Sequence, residues 1–283
     1  MLSLCMEQLS LQNILMALGL TFVAGMSTSV GALMAFFTKS TNKKLLAGAL
    51  GLSAGVMLYV SFLDMLPVSF SEIEEVYPGK IGELYVTLAF FAGILLIGII
   101  DFLIPENENP HELQHLDSID ELSGQLGAET VSDSKHLHRT GLMLALAIGI
   151  HNFPEGIATF VSSLSGLELA LPIVVAIAIH NIPEGVAVSM PIYHATGKRG
   201  KAFAMAVLSG VAEPVGALFG LFFILPFWTP IISSLLLAAV AGIMVYISID
   251  ELLPSAEGYG YHHITIAGVI LGMAVMAVSL LLF

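Results

Sequence analysis

Residues 140–163 read TGLMLALAIGIHNFPEGIATFVSS, and residues 169–193 read LALPIVVAIAIHNIPEGVAVSMPIY. Each stretch is long enough to cross the roughly 30 Å hydrocarbon layer of a bilayer. Each also carries the same polar hexapeptide near its middle, HNFPEG at 151–156 and HNIPEG at 180–185. A carboxylate at mid-membrane costs roughly 2.5–3.5 kcal/mol on insertion scales, so the pair of motifs implies a compensating partner, and the natural one is a cation. On a helix, His151 and Glu155 are four residues apart and share a face, with Asn152 about 100° around from His151. Imidazole nitrogen, amide oxygen and carboxylate oxygen together suit a borderline divalent transition metal better than Mg²⁺ or Ca²⁺.

Composition sets the class. The 283-residue chain is 57% hydrophobic and 11% charged, with a mean hydropathy of +0.92. That is too apolar for a soluble core and describes an all-α polytopic membrane protein. Eight stretches reach spanning length, at about 11–37, 45–67, 83–104, 140–163, 169–193, 201–224, 231–254 and 264–283. They predict one transporter-sized transmembrane domain over residues 1–283. The first stretch lacks a basic leader and is too long for a cleaved apolar region, so it reads as a retained span. Cys5 is the only cysteine, which excludes an internal disulfide and a thiolate cluster.

Basic residues set the orientation. Lys39, Lys43, Lys44, Lys135, Arg139, Lys198, Arg199 and Lys201 fall between spans on one side, and only Lys80 falls on the other. The positive side is cytoplasmic, so an even number of spans leaves both termini outside, in the plasma (bacterial inner) membrane. A net charge of −13 excludes nucleic acid as a partner. Glu72, Glu74, Glu75 and Glu83 crowd the outer loop between spans 2 and 3, where they attract cations or simply solvate the loop. The cytoplasmic segment 106–139 holds eight acids together with His111, His115, His136 and His138 and too few apolar residues for a core. It is expected to be mostly disordered, as a tether or as a weak metal-binding loop.

A second repeat lies outside the motifs. Residues 54–67, AGVMLYVSFLDMLP, and 241–254, AGIMVYISIDELLP, agree at seven of fourteen positions and align Asp64 with Glu251. Spans 2 and 7 run in opposite directions, so this is an inverted repeat. It puts Asp64 near the outer mouth, Asp250 and Glu251 near the inner mouth, and Met57 and Met244 deeper. Spans 4 and 5 are also antiparallel, with their motifs at similar depth. Pro154 and Pro183 lack an N–H and crowd the carbonyls of Ile150 and Ile179, predicting kinks beside the ligands. Gly156 and Gly185 predict close helix approach. Glu213 in span 6 is a third intramembrane acid with no Lys or Arg at its depth, which again favours a shared metal.

These residues carry a resemblance. HNFPEG at 151, HNIPEG at 180, the AEP at 212–214 and the AGVML and DELLP pieces of spans 2 and 7 resemble the ZIP (Zrt/Irt-like protein) divalent metal transporters, most of all their prokaryotic ZupT-type branch. The resemblance implies a 3+2+3 helix arrangement, with spans 1–3 related to 6–8 by a pseudo-two-fold axis. It also implies a binuclear centre. His151, Glu155, His180 and Glu184 would hold one ion, with Met57 as a soft ligand. Asn152, Asn181 and Glu213 would join the bridging Glu155 and Glu184 around the second. The implied activity is uptake of Zn²⁺, and of Fe²⁺, Mn²⁺, Co²⁺ or Cd²⁺, with the metal as cargo rather than cofactor; a homodimer is left open.

Two rival classes stay open on the residues alone. An intramembrane metallohydrolase would keep one metal position for water, but HNxPE lacks the HExxH order of zinc proteases and a separate base. A metal sensor would keep the central site without needing polar routes on both sides. Uptake, with capture at Asp64 and release past Asp250 and Glu251, accounts for more of the sequence than either rival.

Overall fold

Helix ends in this chain fall where side chains satisfy the terminal backbone groups. Asn42 Oδ1 accepts the N–H of Leu45 at 3.2 Å and starts one helix. Thr229 Oγ1 accepts that of Ile232 at 3.2 Å and starts another, with Pro230 at its first position. Gly197, at φ 64°, closes a third in the left-handed conformation that glycine tolerates. The computed structural model describes residues 10–37, 42–103, 129–164, 166–224, 227 and 229–282.

Among the described residues the protein is all-helical. In order come α1 (Leu11–Phe37), α2 (Lys43–Val60), a π-helical turn (Ser61–Met65), α3 (Leu66–Glu74), α4 (Lys80–Leu103), α5 (Glu129–Ser163) and α6 (Leu167–Thr196). Then follow α7 (Arg199–Gly210), α8 (Ala212–Phe219), a second π turn (Gly220–Ile224), α9 (Pro230–Tyr246), a third π turn (Ile247–Leu252), α10 (Leu253–Glu257) and α11 (His262–Leu282). Six stretches among the described residues are long and apolar enough to cross a membrane: Leu11–Leu33, Lys43–Glu74, Lys80–Phe102, Arg199–Phe223, Pro230–Glu257 and His262–Leu281. They coincide with expected spans 1, 2, 3, 6, 7 and 8. Expected spans 4 and 5 lie in α5 and α6, whose helical backbone continues through Pro154 and Pro183.

Of the segment 106–139 expected to lack structure, residues 106–128, with His111 and His115, lie outside the described residues. The remainder is helical, because α5 begins at Glu129, well before the expected span start at 140. No glycine or proline interrupts residues 129–140, and acids at 129 and 133 suit a helix N-terminus.

Glycines decide which helices touch. A Cβ on Gly156 would collide with the backbone of Glu213 in α8, and one on Gly216 with the carbonyl of Phe153 in α5. The same pairing recurs between α6 and α1, where Gly185 faces the Thr28 carbonyl and Gly31 the Ile182 carbonyl. Sequence explains the match: residues 24–32, AGMSTSVGA, and 209–217, SGVAEPVGA, agree at four of nine positions and align Gly25 with Gly210, Thr28 with Glu213 and Gly31 with Gly216. Gly25 and Gly210 meet each other, each against the other's carbonyl. A second matched set joins the remaining helices. Gly55 and Gly272 bring α2 against α11, and Gly242 and Gly93 bring α9 against α4. Such small-residue seams let helices approach at backbone distance where apolar side chains alone give no preference over lipid.

The π turns also follow the repeat. Leu66 N–H bonds back five residues to Ser61, and Leu253 N–H does the same to Ser248. Pro67 and Pro254 stand next in each case and have no N–H to keep the ordinary four-residue register. Ser61 Oγ donates to the Met57 carbonyl, and Ser248 Oγ to the Met244 carbonyl, both at 2.7 Å. Asp64 lies in the first turn, Asp250 and Glu251 in its counterpart. Across α3 and α9, Ser69 Oγ donates to the Ser234 carbonyl and Ser234 Oγ donates back to that of Ser69 at 2.8 Å.

Candidate metal centre

The two motif helices converge on their polar faces. His151 Nε2 of α5 lies 3.1 Å from Glu184 Oε1 of α6, within hydrogen-bond reach and with both side chains fully buried. The i, i+4 spacing seen in the sequence therefore serves a pairing between motifs: His of one copy meets Glu of the other. Asn152 Nδ2 donates to the Ser209 carbonyl of α7 at 3.4 Å. Its counterpart Asn181 Nδ2 donates to the Ala24 carbonyl of α1 at 3.1 Å and also to Glu213 Oε1. Ala24 and Ser209 occupy equivalent places in the repeat, so the two amides are held by the same device.

Glu155, Glu184 and Glu213 are all buried, at 2%, 0% and 0% exposure, and Glu155 and Glu184 lie close enough to Glu213 to interact with its charge. Three carboxylates in one desolvated region cannot all stay ionised unless a cation sits among them. Asn152 Oδ1, Asn181 Oδ1, Glu184 Oε2 and Glu213 Oε2 find no hydrogen-bond partner among the described residues. Each orphaned buried acceptor costs about 1–3 kcal/mol, and a bound divalent ion removes that cost by taking the lone pairs. The donor set is oxygen with imidazole nitrogen, which matches borderline divalent metals. The groups stand as pairs rather than a closed triad: among the described residues no three His, Cys, Asp or Glu side chains converge on one point.

Other sequence-predicted residues lie around this centre. His180 is on α6, and its side chain falls outside the described ones. Met57 is fully buried in an apolar cluster with Ile148 of α5 and Val186, Ala187 and Met190 of α6, residues flanking both motifs. Asp64, Asp250 and Glu251 sit on the α2 and α9 side of the molecule, in the π turns. Sequence reasoning missed the part played by α1, whose Ala24 carbonyl anchors Asn181 and whose Thr28 is buried beside Gly185; the run Ser27-Thr28-Ser29 in an apolar span was the available signal. It also missed Asp101, a lone acid in the apolar run GIIDFL, which accepts the Tyr246 hydroxyl at 3.4 Å. Tyr246 is hydrogen-bonded to Asp250 as well.

Comparison with known proteins gives the chain its place. The family model described as ZIP zinc transporter matches residues 10–280. The zinc transporter ZupT of Streptococcus mutans is 54% identical over 272 residues, covering 96% of this chain and 99% of the relative. Zinc transporters ZupT of Nitratidesulfovibrio vulgaris and Clostridium perfringens are 53% and 52% identical, over 96% and 97% of this chain and 98% of each relative. A family of transporters is not one of enzymes, which removes the hydrolase alternative. With that match running almost end to end through both HNxPEG motifs, the chain belongs to the ZIP zinc transporter family.

Proposed function

We propose that this protein takes up divalent transition metal ions, Zn²⁺ foremost and Fe²⁺, Mn²⁺, Co²⁺ or Cd²⁺ besides, from outside the cell into the cytoplasm. The observation that carries this reading is the buried His151–Glu184 pair joining the two motif helices, with Glu155, Asn152 and Glu213 also buried and Asn181 bonded to Glu213. The centre is binuclear, with His151, Glu155, His180, Glu184 and Met57 around one ion and Asn152, Asn181, Glu213 and both motif glutamates around the other. The zinc-transporting names of the relatives support Zn²⁺ as the main cargo.

The chain spans the plasma membrane eight times in a 3+2+3 arrangement, with both termini outside. The matched glycine seams and π turns support the pseudo-two-fold relation of spans 1–3 to 6–8. Those seams, with the Ser69–Ser234 bonds between spans 2 and 7, also sort the helices into two groups. Spans 1, 4, 5 and 6 carry the centre, while spans 2, 3, 7 and 8 carry the acids Asp64, Asp250 and Glu251. Backbone-distance contact ties the members of the first group together and, in the second, ties span 2 to 8 and span 3 to 7, whereas an apolar cluster that includes Met57, Met244, Val186 and Met190 runs between the groups. Access alternates as one group moves against the other. Asp64 captures the incoming ion, and Asp250 with Glu251 receives it on the cytoplasmic side.

The test is ⁶⁵Zn²⁺ flux into sealed proteoliposomes with purified protein, together with Glu155→Ala and Glu184→Ala. Wild-type protein is expected to carry Zn²⁺ down its gradient, and each variant to insert normally and lose transport. Near-normal flux in either variant would sink the shared-carboxylate site.

A further inference from the structure

The repeat that relates α1 to α7 and α8 places Thr28 where the other half of the molecule has Glu213. Local geometry obeys the same relation. A Cβ built on Gly25 would lie 3.0 Å from Glu213 Cβ, and one built on Gly210 would lie 3.0 Å from Thr28 Cβ and 3.1 Å from its Oγ1. Glu213 reaches Asn181 from this position. Thr28 stands in the mirrored position beside Gly210, the neighbour of Ser209, whose carbonyl holds Asn152. Its side chain is fully buried, and Oγ1 has no hydrogen-bond partner among the described residues. In other buried hydroxyls of the same helix the ordinary local solution is taken: Thr21 Oγ1 donates to the Ala17 carbonyl at 2.9 Å and Ser27 Oγ to the Ala24 carbonyl at 2.6 Å.

We infer that Thr28 is a specificity-determining member of the metal centre, presenting a neutral hydroxyl oxygen to the ion, or to the water it carries, on the face opposite Glu213. The inference rests on the central site proposed above and adds a residue of span 1 to it. A neutral oxygen at this place has two consequences. It leaves the net charge of the centre at three carboxylates where strict symmetry would give a fourth, which keeps the ion releasable. It also adds a hard donor beside the imidazole and thioether ligands, which favours ions that prefer oxygen over softer ones.

Thr28→Val keeps the shape and removes the hydroxyl, whereas Thr28→Ser keeps the hydroxyl. Equilibrium binding of Mn²⁺ and of Cd²⁺ to purified full-length protein is the measurement, with thermal melting of the metal-free protein alongside. Thr28→Val is expected to weaken Mn²⁺ binding about ten-fold, the size of one hydrogen bond or ligand contact to a charged group, and Cd²⁺ far less. Thr28→Ser is expected to bind both ions as the wild type does. The metal-free Thr28→Val protein should melt no lower than wild type, because it loses a buried hydroxyl that had no partner. A structural role would give the opposite signature, with lower melting and equal loss of both ions; that result, or unchanged Mn²⁺ binding in Thr28→Val, overturns the inference. Glu184→Ala run in parallel separates the two claims. Binding retained in Thr28→Val alone overturns only the role of Thr28, while binding retained in both overturns the central site as well.

Discussion

Gly156→Ala is the perturbation that tests most directly how the glycine seam and the metal centre depend on each other. A Cβ at this position would lie 2.7 Å from the Cα and 2.6 Å from the carbonyl carbon of Glu213. Both neighbours are backbone, so no rotamer change relieves the clash. The closest atom, the Glu213 carbonyl oxygen, would lie at 2.0 Å, well inside the 3.0 Å that real Cβ contacts respect, so the helices α5 and α8 must part by roughly 1 Å or more. Overpacking of this kind costs about 1–3 kcal/mol of stability. The larger effect is on the site, because the residue pushed away is the one that carries Glu213. Misplacing a constellation by about 1 Å costs on the order of a hundred-fold in function. Gly149 provides the control: it lies two turns earlier on the same helix, and a Cβ there would meet nothing within 4 Å among the described residues. Gly149→Ala gains up to about 1 kcal/mol of helix propensity and should transport normally. The assay is ⁶⁵Zn²⁺ uptake into proteoliposomes at matched protein density, with Zn²⁺ affinity by calorimetry and melting temperature for both variants. Wild-type uptake and affinity in Gly156→Ala would refute the reasoning, since the centre would then tolerate displacement of α8.

Two further outcomes follow from the same picture. Asp64→Asn should raise the apparent KM for external Zn²⁺, and Asp250→Asn with Glu251→Gln should lower the maximal rate, because the proposed orientation puts Asp64 at the outer mouth and Asp250 with Glu251 at the inner one; a Cys at position 64 labelled only from the cytoplasm would reverse the assignment. Zn²⁺ affinity of the purified protein should fall as pH drops from about 7.5 to 5.5, since imidazole must be neutral and carboxylates ionised to ligate, and each added proton removes a donor. A flat titration in a protein that still needs His151 would exclude ligation by that ring.

Much of the site was legible in the sequence because its chemistry is periodic and dense. His151 and Glu155 at helical spacing, repeated at 180 and 184 in an apolar setting, mark out the two helices whose polar faces meet in the structure. The repeat of spans 2 and 7 was legible for a similar reason, since the shared serine, proline and acid are rare in apolar sequence. The equivalent repeat between residues 24–32 and 209–217 was not, because its key position pairs Thr28 with Glu213 and its other matches are glycine, valine and alanine, which any membrane helix contains. Nor did the sequence show that His151 faces Glu184 rather than Glu155's own ion partner alone, or that the asparagine amides are turned toward backbone carbonyls of α1 and α7.

Composition and motif thus determined by themselves that the chain is a helical membrane protein with paired His/Asn/Glu motifs and a sequence repeat shared by residues 54–67 and 241–254. Tertiary structure alone decided which helices meet, where the π turns fall and that span 1 borders the centre. The reason is physical: lipid tails are as apolar as leucine, so hydrophobic pattern cannot distinguish a face turned to lipid from one turned to protein. That choice is made by steric fit, at places such as Gly156 against Glu213 and Gly185 against Thr28, where only the absence of a Cβ lets two backbones touch.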